Sequence, residues 1–148
     1  MGTPDAGLLV LDASVLVELV VAGAHRAGAD ALLDRYQSVG GLVLVSAAHG
    51  LVEATSAIRR MTQRGALAAG EGAQAVAWFG DLNLILDATA PRLRRIWALR
   101  EQMSAHDAAY AAAAEAFEAP LISTDRRLLG ACQAADLAAM HLADLGDA

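Results

Sequence analysis

Short apolar runs alternate with stretches of helical periodicity along almost the whole chain, and this order constrains the fold most strongly. The runs are predicted as strands at residues 8–11, 42–45, 82–86, 120–124 and 138–142. A run that is apolar at successive positions is typical of a strand covered on both faces, as in parallel sheets. Strands alternating with helices therefore predict a three-layer α/β/α fold with a central parallel sheet of about five strands.

The intervening stretches carry apolar residues at helical spacing. Helices are predicted at residues 14–22, 25–38, 47–64, 67–79, 87–100, 104–118 and 125–133. The alanine-rich helix after residue 104 must be buried closely against its neighbours. No repeat or internal linker interrupts the order, and 148 residues fit one domain. We therefore expect a single domain over residues 1–148.

Composition excludes several classes of protein. All 11 basic residues are arginine, so a P-loop phosphate lysine and a Schiff-base lysine are both excluded. The lone Cys132 excludes an internal disulfide framework and a zinc site built from cysteines. The apolar runs are far shorter than a membrane span, and no basic segment precedes the first of them. We expect a soluble, cytoplasmic protein that does not contact a membrane.

Four acidic residues are predicted to meet at one edge of the sheet, where open α/β sheets form their binding sites. Asp12 directly follows the first strand, and Asp125 follows the fourth. Asp107 lies in the first turn of the helix that leads into the fourth strand, and Glu53 lies in the helix after the second. Each acid stands among apolar neighbours, where an unpaired carboxylate is costly to bury.

Four carboxylates in one place would repel each other and titrate as a coupled group. A divalent cation resolves this conflict, and ligands that are all oxygen favour Mg²⁺ or Mn²⁺ over zinc. We interpret Asp12 and Asp107 as the principal ligands, with Asp125 bound directly or through water. Glu53 is interpreted either as a ligand or as the group that orients the attacking water.

Each acid also has an ordinary structural explanation. Asp12 can cap the first helix, and Asp107 can form a capping pair with Ser104. Asp125 can complement a helix dipole, and Glu53 can pair with an arginine on a solvated face. Taken singly, these explanations are at least as good as a metal role. The arrival of all four acids at separate strand ends favours the metal site.

At this point the chain resembles the PIN domain family and, within it, the VapC-type toxins of bacterial toxin–antitoxin pairs. The resemblance rests on four ordered motifs that together span nearly the whole chain. They are Val-Leu-Asp-Ala-Ser-Val at 10–15, Leu-Val-Glu at 51–53, Ala-His-Asp-Ala-Ala-Tyr at 105–110 and Pro-Leu-Ile-Ser-Thr-Asp-Arg-Arg-Leu at 120–128. Two positions depart from the family pattern, with Ser56 near the place of a common asparagine and 48–50 lacking a frequent proline.

The resemblance implies a metal-dependent endoribonuclease whose catalytic Mg²⁺ site is Asp12, Glu53, Asp107 and Asp125. It also implies supporting roles for small hydroxyl residues beside the first and last aspartates, here Ser14 and Thr124. Arginines that follow the site acids in sequence suit phosphate binding through paired hydrogen bonds, and they are Arg59, Arg60, Arg126 and Arg127. The net charge of −6 is a poor argument against RNA, because two bound Mg²⁺ ions would offset four of those charges.

The resemblance further implies an antitoxin partner that packs into a groove between the early helices, and a homodimer. The apolar face of the first helix could line such a groove or belong to the ordinary core, and it consists of Val15, Leu16, Leu19 and Val20. Core packing is also the preferred interpretation of Trp78, Phe79 and Trp97 over base stacking.

Two other functions share parts of this pattern. A phosphatase of the haloacid dehalogenase type also begins with an aspartate after the first strand. That chemistry needs a second aspartate two residues later, where this chain has Ser14, and a lysine, which this chain lacks. A catalytically inactive PIN-like binding module is disfavoured because such a copy has no reason to keep four mutually repelling acids.

Overall fold

Five parallel strands form one sheet in the computed structural model, which describes residues 7–38 and 41–146. The strands are β1 Leu8–Leu11, β2 Val43–Ala47, β3 Leu84–Asp87, β4 Leu121–Ser123 and β5 Ala139–His141. Their order across the sheet is β3-β2-β1-β4-β5, and every neighbouring pair is parallel. The predicted fold class is confirmed. The first strand lies in the middle of the sheet, with β2 and β4 on either side of it.

Seven α-helices connect the strands in the described part of the chain. They are α1 Ala13–Val20, α2 Arg26–Gln37, α3 Gly50–Gln63, α4 Ala69–Asp81, α5 Leu93–Ala98, α6 Ala105–Ala116 and α7 Arg126–Ala134. Short 3₁₀ turns occupy Ala90–Arg92 and Leu142–Leu145. Among the described residues, no helix has both the length and the apolar character that crossing a membrane requires.

Two hydrophobic clusters cover the two faces of the sheet and so create the three layers. Because side chains alternate along a strand, Leu9 and Leu11 join one cluster and Val10 joins the other. The first cluster includes residues of helices α1 to α4, and the second includes residues of α5, α6 and α7. The apolar runs of the sequence therefore reflect burial on both faces.

Helix α6 is buried nearly all round, as its composition predicts. Every residue from Ala108 to Ala114 is buried, and only Tyr110 among them is large. Small side chains allow the helix to approach the sheet and its neighbours closely. The helix begins at Ser104, whose hydroxyl accepts a hydrogen bond from the backbone N–H of Asp107 at 3.2 Å. The first turn of a rigid core element therefore carries Asp107.

The predicted helix over residues 87–100 is wrong at its start. Asp87 is the last residue of β3, and its carboxylate accepts two hydrogen bonds of 3.0 Å from Arg92. Pro91 lies in the 3₁₀ turn, and the α-helix begins only at Leu93. The acid that ends β3 is thus paired with its own arginine.

Helix α3 starts in close contact with the sheet, and Gly50 makes this contact possible. A Cβ atom on Gly50 would lie 2.3 Å from Oγ of Ser46. The Ser46 hydroxyl donates to the carbonyl oxygen of Leu11 at 2.7 Å, so it cannot move away without losing that bond. This packing places Glu53 one turn from the carboxyl ends of β1 and β2.

Candidate active site

Asp12 is a buried carboxylate at the carboxyl end of β1. It is the N-cap of α1 and only 5% exposed. Its Oδ1 accepts hydrogen bonds from the Ser14 hydroxyl at 2.6 Å and from the backbone N–H of Val15 at 3.1 Å, and its Oδ2 accepts from the Ser123 hydroxyl. Burial raises the pKa of Asp12, and the negative charge of Asp125 adds to this rise, while the three hydrogen bonds oppose it.

Two serine hydroxyls connect the end of β1 to the end of β4. Ser14 Oγ accepts from the backbone N–H of Thr124 at 3.0 Å, and Ser123 Oγ accepts from the backbone N–H of Asp125 at 2.9 Å. The contact of Thr124 is made by its main chain, although the sequence singled out its hydroxyl. Ser123 was not predicted, and its position two residues before Asp125 was the available signal.

Asp107 and Asp125 share one cation. Asp125 is the N-cap of α7 and accepts from the backbone N–H groups of Arg127 and Leu128 at 3.0 and 3.3 Å. Nη2 of Arg127 donates to Oδ2 of Asp107 at 2.9 Å and to Oδ2 of Asp125 at 3.1 Å. A single guanidinium nitrogen therefore joins the two acids, and these hydrogen bonds raise the pKa of Arg127.

Glu53 is held by a tyrosine instead of an arginine, and a histidine lies beside it whose buried Nε2 has no hydrogen-bond partner among the described residues. The Tyr110 hydroxyl donates to Oε2 of Glu53 at 3.1 Å, and Nε2 of His49 lies 3.2 Å from the same oxygen. Burial raises the pKa of Tyr110, and the charge of Glu53 raises it further, so the phenol remains protonated. Burial also lowers the pKa of His49 against the opposing charge of Glu53. Both partners were missed, although His49 stands four residues before Glu53, one helical turn away.

The four acids lie in one neighbourhood but do not enclose a ready cation site. The charge of Asp125 raises the pKa of Asp12, and the charges of Glu53 and Asp12 both raise the pKa of Tyr110. The charges of Glu53 and Asp107 likewise both act to raise the pKa of His49. Within residues 7–38 and 41–146, no three side chains of His, Cys, Asp or Glu are grouped closely enough to hold a metal ion. The acids instead accept hydrogen bonds from protein groups, and Asp107 and Asp125 share Arg127.

The chemistry of these side chains fits a hard divalent cation. Every donor is a carboxylate or hydroxyl oxygen, and a cationic group already lies between Asp107 and Asp125. The burial that raises the pKa of Asp12 also means that positive charge beside it would be stabilising. Burial raises the pKa of the Cys132 thiol to about 11, so this residue supplies no thiolate for a softer metal.

The arginines singled out in the sequence fall into different places. Arg60 lines a cavity of about 350 Å³ together with Ser14 and Glu53. Arg59 is exposed on the same helix, and Arg127 contacts the acids directly. Arg126 instead lines a separate cavity of about 680 Å³ beside β5.

The core assignment of Trp97 is wrong. Trp97 is 68% exposed, and the guanidinium of Arg100 lies 4.8 Å from the centre of its ring. Phe79 is buried as predicted, and Trp78 packs half-buried against the core. Helix α5 has only six residues and turns Ile96 inward, which leaves the adjacent Trp97 on the outer side.

The structural roles proposed for single acids are largely observed as well. Asp12 and Asp125 are helix N-caps, and Asp107 starts a helix capped by Ser104. Capping uses Oδ1 of Asp12 and Oδ1 of Asp125. The capping role leaves Oδ2 of each aspartate to face other groups, so capping and ligand binding are compatible.

Comparison with known proteins gives both a family and a fold. The PIN domain family model matches residues 9–133. Ribonuclease VapC9 of Mycobacterium tuberculosis is 37% identical over 82 residues, which are 55% of this chain. The chain spans 65% of the length of that curated relative.

Two solved structures share the fold at low sequence identity. The crystal structure of PAE2754 from Pyrobaculum aerophilum aligns with a TM-score of 0.68 and 20% identity, covering 96% of this chain and 88% of that one. Mycobacterium tuberculosis VapC20, a sarcin-ricin loop cleaving toxin, aligns with a TM-score of 0.62 and 18% identity, covering 83% and 94%. Because the family model covers most of the chain, the chain belongs to the PIN domain family.

Proposed function

We propose that this protein is a Mg²⁺-dependent endoribonuclease that hydrolyses RNA phosphodiester bonds and acts as the toxin of a toxin–antitoxin pair. The observation that carries the proposal is the buried Asp12 carboxylate, oriented by Ser14 and Ser123 beside three further acids. Kinship with a ribonuclease named VapC9 supports the choice of RNA as substrate. Mn²⁺ is proposed as an alternative ion, because it accepts the same oxygen ligands.

The proposed ligands are Asp12, Asp107 and Asp125, with Glu53 as a further ligand or as the group that orients water. A divalent cation held there would lower the pKa of a water molecule and stabilise charge on the phosphate. Oδ2 of Asp12 accepts one hydrogen bond, from Ser123, and a carboxylate oxygen can accept about two. This oxygen therefore retains capacity for a ligand, whereas Oδ1 already receives two donors.

Tyr110 and the serines position the acids in this proposal. Tyr110 donates to Oε2 of Glu53 and so fixes the carboxylate, whose oxygens keep capacity to face a water or a cation. Ser14 and Ser123 fix the plane of the Asp12 carboxylate and tie it to the start of α7. Groups that orient ligands in this way commonly change metal affinity or activity by about 10- to 100-fold.

Arg60 is the best placed of the proposed RNA-binding arginines outside the acid cluster. It shares with Ser14 and Glu53 the cavity of about 350 Å³ at the start of α1. A guanidinium in this place can form paired hydrogen bonds with the oxygens of the phosphate next to the phosphate that is hydrolysed. Arg59 on the adjoining exposed surface and Arg126 at the start of α7 are proposed as weaker contacts to the RNA backbone.

An antitoxin segment is proposed to pack at the far end of α1. Val15 and Leu16 are buried in the core and cannot line the expected groove. The groove lies one turn later on α1, at Leu19 and Val20. A cavity of about 300 Å³ there is lined mainly by Leu19, Val20, Leu67 and Trp78. An apolar helix of a partner protein would cover these side chains.

A homodimer is also proposed. Leu93 and Trp97 are four residues apart on α5 and are both exposed, as is Val52 on α3. A second copy of the chain would remove such large apolar side chains from water. A Trp97→Arg variant that sediments as a monomer, against a dimeric wild type, would support this surface, and unchanged sedimentation would contradict it.

Growth on inducible expression tests the toxin assignment. We expect the wild-type chain to arrest growth and an Asp107→Asn variant, expressed to the same level, to permit it. Co-expression of the adjacent small open reading frame should restore growth to the wild type. Normal growth with full expression of the wild-type chain would contradict the toxin role.

A further inference from the structure

Arg127 stands where a cation would have to bind in the proposed site. Its Nη2 donates to Oδ2 of Asp107 at 2.9 Å and to Oδ2 of Asp125 at 3.1 Å. Oδ2 is the oxygen of Asp125 that capping leaves available, since its Oδ1 already accepts two backbone N–H groups, and Asp107 takes part in capping only through its backbone N–H. The guanidinium therefore uses the oxygens on which the proposed metal site depends.

We propose that Arg127 is a built-in counterion, which closes the acid site in the metal-free protein and competes with the divalent cation for Asp107 and Asp125. The inference rests on the proposed function and deepens it by assigning a regulating residue to the same site. Two carboxylates this close to one nitrogen repel each other, and a positive group between them reduces that repulsion. The arginine supplies that charge when no metal does.

The side chain can leave the site without disturbing the fold. Arg127 is 67% exposed, whereas the side chain of Asp107 is only 16% exposed. The backbone N–H of Arg127 stays bonded to Oδ1 of Asp125 at 3.0 Å, which anchors the residue at the first turn of α7. Only rotation of the side chain is needed. The released guanidinium would stay near the acids, where an RNA phosphate would lie in the proposed complex.

Competition of this kind is reciprocal. If Arg127 opposes binding of a divalent cation, the bound cation must weaken the contact of Arg127 with the acids by the same free energy. Removal of the guanidinium should therefore tighten metal binding and lower the stability of the metal-free protein. If Arg127 merely strengthened the fold, its removal would lower stability without changing metal affinity. If Arg127 helped to bind the metal, its removal would weaken metal binding.

Mn²⁺ titration of the full chain, followed by electron paramagnetic resonance, tests the inference. We expect Arg127→Gln to lower the Kd for Mn²⁺ by at least about fivefold, the lower end of typical coupling between sites. Arg126→Gln is the matched control, because it removes the same charge from the adjacent exposed position, which contacts neither acid. We expect this control to stay within about twofold of the wild type, since exposed charges are screened by salt.

Melting temperature supplies a second readout that does not depend on catalysis. In EDTA, Arg127→Gln should melt below the wild type, and saturating Mn²⁺ should raise its melting temperature by more than it raises that of the wild type. Equal or weaker Mn²⁺ binding in Arg127→Gln would overturn the counterion role and leave the proposed function standing. Absence of Mn²⁺ binding in all three proteins would overturn the proposed metal site together with the inference.

Discussion

Tyr110 donates its hydroxyl to Oε2 of Glu53 at 3.1 Å, and the two residues are 57 positions apart in the chain. The tyrosine is buried in the core of α6, while the side chain of Glu53 is 43% exposed on α3. A rigid core residue thus holds an acid that would otherwise be free to move in solvent. Through this contact the buried helix α6 fixes the position of Glu53 in the candidate site.

Tyr110→Phe removes that contact while leaving the ring in the core. We expect RNA cleavage to fall about tenfold, because Glu53 loses the donor that orients it. The free energy of unfolding should fall by about 1 kcal/mol or less, since the freed carboxylate can be hydrated. Tyr36→Phe, which removes a hydroxyl bonded to the backbone N–H of Asn83, serves as the control and should retain full activity.

Asp12→Asn should stabilise the metal-free protein while it abolishes cleavage. Because burial raises the pKa of Asp12, the folded state disfavours its charged form, and a neutral isostere removes that cost. Chemical denaturation in EDTA at neutral pH should show a gain of about 1 kcal/mol, within the usual range for stabilising substitutions. Asp34→Asn, at an exposed position of α2, should change stability little. A destabilised Asp12→Asn variant would contradict this account of the buried charge.

Gly50→Ala should damage the start of α3. The new Cβ would lie 2.3 Å from the Ser46 hydroxyl, which is itself bonded to Leu11, so the helix must shift. We expect a loss of about 1–3 kcal/mol in the free energy of unfolding, typical of overpacking. Gly80→Ala in α4 meets no atom within 4 Å and should gain about 0.5–1 kcal/mol from helix propensity. Equal effects of the two substitutions would show that the contact at Gly50 is not restrictive.

His141 should make stability depend on pH near neutrality. Burial, Arg126 and His25 lower the pKa of His141 from its ordinary value of 6.5, and its Nδ1 accepts from the backbone N–H of Ala143 at 3.0 Å. As the pH falls, His141 is therefore protonated in the unfolded chain at a higher pH than in the folded chain. Stability contributed by neutral His141 is fully present above pH 6.5 and is lost as the pH falls below that value toward the folded-state pKa.

Denaturation midpoints measured between neutral pH and the onset of carboxylate titration check this sign. The slope due to one such histidine is at most about 1.4 kcal/mol per pH unit. His141→Asn, whose amide oxygen can still accept from Ala143, should show a shallower slope than the wild type. An identical slope would exclude His141 as a source. His49, whose pKa burial also lowers, would contribute a dependence of the same sign.

The fold and the gathering of the acids were predictable because each left a local signal. Strands covered on both faces appear as unbroken apolar runs, and Asp12 and Asp125 directly follow two such runs. The parallel order of the sheet then requires their ends to meet. Helix α6 was recognisable because alanine dominates it, and the cap at Ser104 because of its spacing from Asp107.

The contacts that complete the site left no such signal. Periodicity does not report the direction of an exposed arginine, so the bridge from Arg127 to Asp107 and Asp125 depends on the packing of α6 beside α7. The bond from Tyr110 to Glu53 joins helices that are remote in sequence. Asp87 resembled a helix start, but its backbone pairs with Ala47 as the last residue of β3, and the α-helix begins only at Leu93.

Cleavage of single-stranded RNA by the purified full chain tests the central claim most directly. A fluorescently labelled RNA is incubated with the metal-stripped protein, and Mg²⁺ or Mn²⁺ is then restored in steps, with Asp12→Asn treated in parallel. We predict no cleavage in EDTA, internal cleavage that rises with either ion, and none by Asp12→Asn at any ion concentration. Cleavage that persists in EDTA, or that Asp12→Asn performs as well as the wild type, would contradict the account.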